Sequence, residues 1–151
     1  MLQTLTAEAE TVRCFVEVLQ LEQNALKSGK TEELADFAEK KSQYGITLKQ
    51  LSAQRNTLLG ASGFDIDRAG IEAWSAKNPS EKRVNEAWAS IISLASEAQE
   101  LNRLNGELIK LHMQYNSKAL EALRGGHSAL ELYGPDGQSQ TLGNRRINDA
   151  V

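Results

Sequence analysis

Very few side chains in this sequence are of the types that carry out chemistry. The two histidines, His112 and His127, lie in neither an H-x-x-x-H nor an E-x-x-H spacing, the spacings that zinc and di-iron sites on helices use. Cys14 is the single cysteine, so neither an intramolecular disulfide nor a thiolate cluster can form. The segment from Gly60 to Gly63 lacks the Lys-Ser/Thr ending of a phosphate-binding loop. The residue types therefore indicate a protein that is not an enzyme and that needs no metal or cofactor.

The charge and hydropathy of the chain exclude two classes of partner. Lys and Arg total 17 against 20 Asp and Glu, a formal net charge of −3, and no segment offers the clustered basic surface that phosphate contacts require. No apolar run approaches the roughly 20 residues of a membrane span, and the N-terminus has no apolar signal segment. We therefore expect no nucleic-acid binding, no direct membrane insertion and a cytoplasmic location, with function carried by binding another polypeptide.

Helix-forming residues dominate the chain and predict an all-α fold. A first helix is expected from about Thr4 to Ser28, because its apolar residues recur at spacings of three, four and seven. Gly29 stops this helix, and Thr31 can cap a second helix that continues to about Leu59. So short a connection predicts an antiparallel helical hairpin, the first part of an elongated, coiled-coil-like bundle.

Two cations, Lys41 and Arg55, lie on the otherwise apolar seam of the second helix and require partners. In a hairpin that turns near Gly29, counting back from the turn places Glu22 opposite Lys41 and Glu8 opposite Arg55. We predict two ion pairs that set the register of the hairpin. The alternative is that these charges are solvated at the helix flanks, where exposed pairs contribute only about 0–1 kcal/mol.

Two more helices are expected after the break at Gly60 to Gly63. Asp65 is predicted to cap a short third helix that lies over the open end of the hairpin. Asn78 and Pro79 are predicted to begin a fourth helix that continues to about Leu123 or Arg124. At 1.5 Å per residue this last helix would be roughly 65 Å long.

The C-terminal half of the fourth helix is predicted to keep an apolar stripe uncovered. The first two helices, at roughly 25 to 29 residues each, are too short to cover all of the fourth. Leftover apolar surface usually marks a binding site, and anchors spaced by three and four residues suit a helical partner. The candidate partner-binding residues are Leu101, Leu104, Leu108, Leu111 and Tyr115.

The helical periodicity of the sequence stops at Gly125 and Gly126, which are predicted to end the fourth helix. The segment that follows has no helical periodicity and contains the turn-forming sequence Pro135-Asp136-Gly137. A small isolated hairpin there would be marginally stable in water, so a mobile tail that becomes ordered on a partner is favoured. The expected organisation is a helical bundle domain at residues 1–124 and a flexible, non-helical C-terminal tail at residues 125–151.

Two segments near the C-terminus form an unusual combination. The sequence LNRLNGELIKLHMQYNSKALEAL, from Leu101 to Leu123, is followed by LYGPDGQ, from Leu132 to Gln138. The first contains Asn105-Gly106, although a glycine inside a helix costs about 1 kcal/mol relative to alanine. Together these segments resemble the FlgN-type family of flagellar export chaperones. The first half of the chain resembles that family's helical hairpin, so the likeness covers most of the sequence.

This resemblance implies a cytosolic chaperone of the flagellar type III export system. Such chaperones bind hook-associated proteins through the clients' C-terminal amphipathic segments, keep them unpolymerised and deliver them to the export gate in the membrane. The resemblance assigns docking on the gate's cytoplasmic domain to Tyr133, with its neighbours Leu132 and Gly134. It points to Leu108, Leu111 and Tyr115 for the client.

An alternative function belongs to a different class. A structural coiled-coil or adaptor protein with no role in export would show the same apolar periodicity in its helices. Genes for hook-associated proteins beside this one would favour the chaperone over the adaptor. Either protein is compatible with a homodimer.

Overall fold

Within residues 1–131 the fold is built from four α-helices and one 3₁₀ turn. A computed structural model describes the backbone of residues 1–131 and the side chains of residues 1–125. The elements are α1 (Leu2–Ser28), a 3₁₀ turn (Thr31–Glu33), α2 (Leu34–Ala61), α3 (Arg68–Lys77) and α4 (Lys82–Glu131). The described part of the chain divides into two compact units, the first formed by residues 1–109 and the second beginning at Lys110. The predicted all-α architecture, with a hairpin, a short helix and one long helix, is confirmed.

Helix α1 ends where Gly29 adopts the left-handed backbone conformation, with a φ angle of 71°. The amide of Gly29 donates to the carbonyl of Leu26, and the amide of Lys30 donates to the carbonyl of Ala25 at 3.0 Å. These bonds satisfy carbonyls that the end of a helix otherwise leaves without donors. Because the chain then turns directly into α2, the two helices pack side by side as the predicted hairpin.

Helix α1 is the central helix of the unit formed by residues 1–109. Ten of its residues are buried, compared with two in α2, so α1 must be covered on more than one side. One cluster, with Val16, Leu19 and Ala98 at its centre, joins α1 to α4. A second, which includes Val18 and Phe37, joins α1 to α2. Two separate seams therefore run along α1.

Between Lys82 and Gly125, where side chains are described, the buried residues of α4 recur every seven positions. They are Val84, Ile91, Ala98 and Asn105, each at most 7% exposed. A strict seven-residue repeat keeps one face of a helix against its neighbour only if the helices supercoil with a left-handed twist. The packing of α4 within residues 1–109 is therefore of the coiled-coil type that the sequence predicts.

Helix α3 closes the open end of the hairpin, as expected. Its Ile71 is fully buried in a cluster with Leu5 of α1, Leu59 of α2 and Val84 of α4. The residue that caps α3 is Asp67, whose carboxylate accepts from the amide of Gly70 at 2.8 Å, so the expectation that Asp65 caps it is wrong. Both aspartates precede the helix, and the closer one has the reach to the third amide of the first turn.

The junction between α3 and α4 also differs from the sequence prediction. Asn78 follows the end of α3, and its side-chain amide donates to the carbonyl of Trp74 at 2.8 Å. Helix α4 begins at Lys82, whereas Pro79 was expected at its first position. Asparagine suits both ends of a helix, so the residue type alone could not decide which helix Asn78 caps.

Helix α4 does not stop at Gly125 and Gly126. It continues to Glu131, so the prediction that these glycines end the helix is wrong. Each glycine lowers helix stability by about 1 kcal/mol without preventing helical backbone angles. The residues that follow, Ala129, Leu130 and Glu131 among them, favour helix and sustain it.

Gly70 is a position where any side chain would collide with the backbone. A Cβ atom built there would lie 1.8 Å from the carbonyl oxygen of Asp65. We expect Gly70→Ala to lower the free energy of unfolding by about 1–3 kcal/mol, the usual cost of overpacking. Gly45→Ala is the matched control, because a Cβ at Gly45 meets nothing within 4 Å and should stabilise α2 by about 0.5–1 kcal/mol. Urea unfolding of both variants measures the difference, and equal unfolding midpoints would contradict the close contact.

Candidate partner-binding surface

A buried carboxylate, Glu22, connects three helices. Lys41 Nζ on α2 lies 2.7 Å from Glu22 Oε1 and 2.9 Å from Glu22 Oε2. Asn105 on α4 donates from Nδ2 to the same Oε2 at 2.9 Å, and to the backbone carbonyl of Leu19 at 2.9 Å. Both carboxylate oxygens of Glu22 therefore have donors, which offsets much of the cost of removing the charge from water.

A second buried carboxylate, Glu8, lies at the same position of the seven-residue repeat, two repeats before Glu22. Its Oε1 accepts a hydrogen bond from Nη1 of Arg55 on α2. The guanidinium carbon of Arg55 lies 5.1 Å from the centroid of the Trp88 ring on α4, within the range of a cation–π interaction. Arg55 also donates to the hydroxyl of Ser52 at 2.9 Å. This pair, like the first, therefore has contacts on α1, α2 and α4.

The structure contains both ion pairs that the sequence predicts for the hairpin. The Glu22 and Lys41 side chains are 3% and 22% exposed, and the Glu8 and Arg55 side chains are 7% and 12% exposed. We propose that the two pairs set the register of the hairpin, since a shifted hairpin would bury a carboxylate without its cation. An uncompensated buried charge costs several kcal/mol, far more than a surface pair contributes.

Sequence reasoning missed the role of Asn105. The residue is 1% exposed and holds α4 to α1 through the two hydrogen bonds of its amide. A signal was present, because Asn105 is the one polar residue in the seven-residue series of Val84, Ile91 and Ala98. A polar residue at such a position specifies the register of packed helices at some cost in stability.

The five predicted partner-binding residues of α4 are not equally accessible. Leu101 is half-buried against the cluster of Val16, Leu19 and Ala98, so it contributes to the core of the first unit. Leu104 and Leu108 are also half-buried. Leu111 and Tyr115 are 60% and 74% exposed. Within the stripe, the residues free to contact another molecule are therefore those from Leu111 onward.

Exposed apolar side chains are concentrated in residues 110–125 of α4. No described side chain in that stretch is buried. Besides Leu111 and Tyr115, the large exposed apolar residues there are Met113, Leu120 and Leu123, at 57–69% exposure. Sequence reasoning missed these three because they do not continue the single three-four stripe on which it was based. The uncovered surface is therefore wider than a single stripe.

The remaining residues singled out by the sequence are Cys14, His112 and the residues assigned to gate docking. Cys14 is a half-buried free thiol on α1, and His112 is half-buried on α4. Among residues 1–125 no group of three or more His, Cys, Asp and Glu side chains could hold a metal ion. Leu132, Tyr133 and Gly134, the residues assigned to gate docking, lie outside the described residues.

The hydropathy of the helices shows whether any of them could span a lipid bilayer. Along the described part of the chain, none of the helices combines the length and apolar character needed to span a lipid bilayer. The apolar residues of α4 are interrupted by charged ones, with three cations and one carboxylate between positions 110 and 124. The uncovered surface therefore belongs to an amphipathic helix, the kind that recognises another amphipathic helix.

Comparison with known proteins relates this chain to one family along nearly its whole length. The family model described as FlgN protein matches residues 1–141. The flagella synthesis protein FlgN of Proteus mirabilis is 28% identical over 149 residues, which cover 96% of this chain and 94% of that protein. The FlgN of Yersinia enterocolitica is 30% identical over 145 residues, covering 92% of this chain and 89% of that protein. No solved structure matches the chain significantly. From the helical hairpin to the long amphipathic α4, this chain belongs to the FlgN family.

Proposed function

We propose that this protein is a flagellar export chaperone that binds hook-associated proteins and delivers them to the type III export gate. The observation that carries the proposal is the row of large apolar side chains exposed on α4 between Leu111 and Leu123. Concentrations of large exposed apolar residues often mark interaction sites on soluble proteins. Membership of a family of flagella synthesis proteins points to a partner in flagellar assembly.

The amphipathic character of this surface suits the C-terminal segments of hook-associated proteins. A client helix would bury its own apolar face against Leu111 and Tyr115, which are spaced by four residues. Each large side chain that becomes buried contributes about 1.5–3 kcal/mol, which offsets part of the cost of association. Covering the client's apolar face would keep it from polymerising before export.

Delivery to the gate is assigned to a different part of the chain. The Leu132-Tyr133-Gly134 motif follows α4 in sequence and does not overlap the exposed apolar residues. Tyrosine combines a large apolar ring with a hydroxyl, which makes it an effective anchor at protein interfaces. A chaperone with two separate sites could hold its client and dock on the gate's cytoplasmic domain at the same time. No nucleotide is needed, because competing partners can drive capture and release.

The experiment that tests client binding replaces exposed apolar residues of α4 by charged ones. We expect Leu111→Asp/Tyr115→Asp to abolish co-purification with a hook-associated protein, because an aspartate cannot enter an apolar interface without a large desolvation cost. Circular dichroism should show unchanged helix content, since both residues are exposed. Leu108 is less suitable for this test because it is half-buried.

Leu21→Asp is the matched control. Leu21 is a similarly exposed leucine, at 54%, but it lies on α1. We expect this variant to capture the client as the wild type does. Undiminished capture by the α4 double variant would place the client elsewhere, and equal loss in both variants would indicate a nonspecific effect of the added charge.

A further inference from the structure

Asn105 of α4 is attached to α1 at two points. Its partners, the backbone carbonyl of Leu19 and the carboxylate of Glu22, are both acceptors, so the amide nitrogen faces them and lies 2.9 Å from each oxygen. The Leu19 carbonyl is part of the α1 backbone, and Glu22 is itself held by Lys41 of α2. Because the asparagine side chain is short, it can reach both acceptors only from a narrow range of helix positions. The two bonds therefore restrict both the rotation and the axial position of α4 against the hairpin.

The stability of the bundle does not explain why this position holds an asparagine. Its other amide atom, Oδ1, is buried, and no protein group among the described residues donates to it. A buried acceptor without a donor is unfavourable. Glu22 does not depend on Asn105 either, because Lys41 Nζ also lies 2.9 Å from the oxygen that Asn105 contacts. An apolar side chain at this position should therefore be at least as favourable for folding as the asparagine.

What the asparagine provides is a single register for α4. The earlier members of its seven-residue series, Val84, Ile91 and Ala98, are all apolar. A helix with apolar residues alone at these positions could also pack one repeat further along the hairpin, a displacement of about 10 Å. That displacement would move Asn105 away from both of its acceptors and leave its amide nitrogen without a partner. A polar residue in an apolar series specifies register in this way, at a cost in stability.

We propose that Asn105 is a positioning residue that determines which leucines of α4 are left uncovered for the client. This inference rests on the proposed function, since it takes Leu111 and Tyr115 as client-binding residues. Leu104 and Leu108 flank Asn105 and are half-buried, whereas Leu111 is 60% exposed. Helix α4 is continuous through this stretch, so a shift of α4 along the hairpin changes which of these leucines are covered. Asn105 is itself buried and acts on the client only through the register of α4.

The first experiment separates stability from client binding in the variant Asn105→Leu. We expect its urea unfolding midpoint to be at least as high as that of the wild type. Its dissociation constant for a full-length hook-associated protein, measured by titration calorimetry, should rise about fivefold or more, because the apparent constant increases as the population of the competent register falls. Asn102→Leu is the matched control, since Asn102 is exposed on the same helix. Its dissociation constant should stay within about twofold of the wild-type value.

The second experiment measures the register of α4 directly and needs no client. Spin labels are attached to Asn24→Cys on α1 and Ser93→Cys on α4, both exposed positions, after the free thiol is removed by Cys14→Ala. Pulsed electron resonance should give one distance between the labels when Asn105 is present and at least one further distance in Asn105→Leu. The loss of hydrogen bonds that served stability alone would not create a second distance.

The outcomes distinguish this inference from the proposed function. A single, unchanged distance in Asn105→Leu, with client binding within about twofold of the wild type, would overturn the positioning role. A single distance with a lower unfolding midpoint would make Asn105 a residue that serves stability alone. Asn105→Ala replaces Asn105→Leu if the leucine variant does not fold, because Ala98 shows that the series accepts alanine. Failure of the wild-type protein to bind any hook-associated protein would instead overturn the proposed function, and this inference with it.

Discussion

Replacing Lys41 with methionine is expected to lower the free energy of unfolding by about 3–5 kcal/mol, the range found when one partner of a buried ion pair is removed. Methionine keeps most of the length of the lysine side chain but provides no charge and no donor. Glu22, whose side chain is 3% exposed, would then keep its negative charge with Asn105 as its only remaining side-chain donor among those described. Urea unfolding followed by circular dichroism measures the change.

A second substitution should reverse most of this loss. In Lys41→Met/Glu22→Leu neither charge of this pair is left in the interface, and apolar replacements of buried ion pairs are often neutral or stabilising. Lys49→Met, at an exposed position of the same helix, is the control and should change stability by less than about 0.5 kcal/mol. If Lys41→Met is no less stable than the control, then Glu22 is solvated and the pair does not set the register of the hairpin.

Tyr133→Ala is expected to weaken docking on the cytoplasmic domain of the export gate by roughly 30-fold or more. Truncating a tyrosine that anchors an interface typically costs about 2 kcal/mol or more, which corresponds to such a change in dissociation constant. The variant should capture its client normally and keep its melting temperature, because the proposed docking role requires no contact with the bundle. Titration of the chaperone–client complex with the isolated gate domain measures the effect.

Tyr115→Ala provides the reciprocal control for this second prediction. Tyr115 is 74% exposed on α4 and belongs to the proposed client surface. We expect it to lose client affinity and to retain docking on the gate. A large drop in the melting temperature of Tyr133→Ala would show that Tyr133 packs against the folded protein, and intact gate binding would remove it from the docking site.

The helices and the hairpin could be predicted from the sequence because their determinants are local. Apolar residues at three- and four-residue spacings, together with Gly29, define α1 and its end regardless of what the rest of the chain does. The ion pairs of Glu22 with Lys41 and of Glu8 with Arg55 could also be predicted, because a short turn relates positions on two antiparallel helices by simple counting. Helix ends with ambiguous residues were predicted less well: Asn78 caps α3 from its C-terminal side, and α4 continues through Gly125.

The sequence predicted only some of the exposed residues of the partner-binding surface. Periodicity identified the apolar stripe from Leu101 to Tyr115. The same spacing, however, occurs on helix faces that pack against a neighbouring helix and on faces that are exposed to solvent. In the structure Leu101 is half-buried in the core of the first unit, whereas Leu111 and Tyr115 are exposed. The structure also exposes Leu120 on the opposite side of the helix, which a single-stripe pattern could not include.

The sequence by itself determined the all-α fold, the family and the pairing of charges across the hairpin, because each depends on residues that are close in sequence or related by one turn. Only the tertiary structure showed that Asn105 on α4 bonds to Glu22 and Leu19, residues more than 80 positions away. It likewise decided which leucines of α4 are covered. Contacts between distant segments depend on how whole helices pack, and the spacing of residues along one helix does not contain that information.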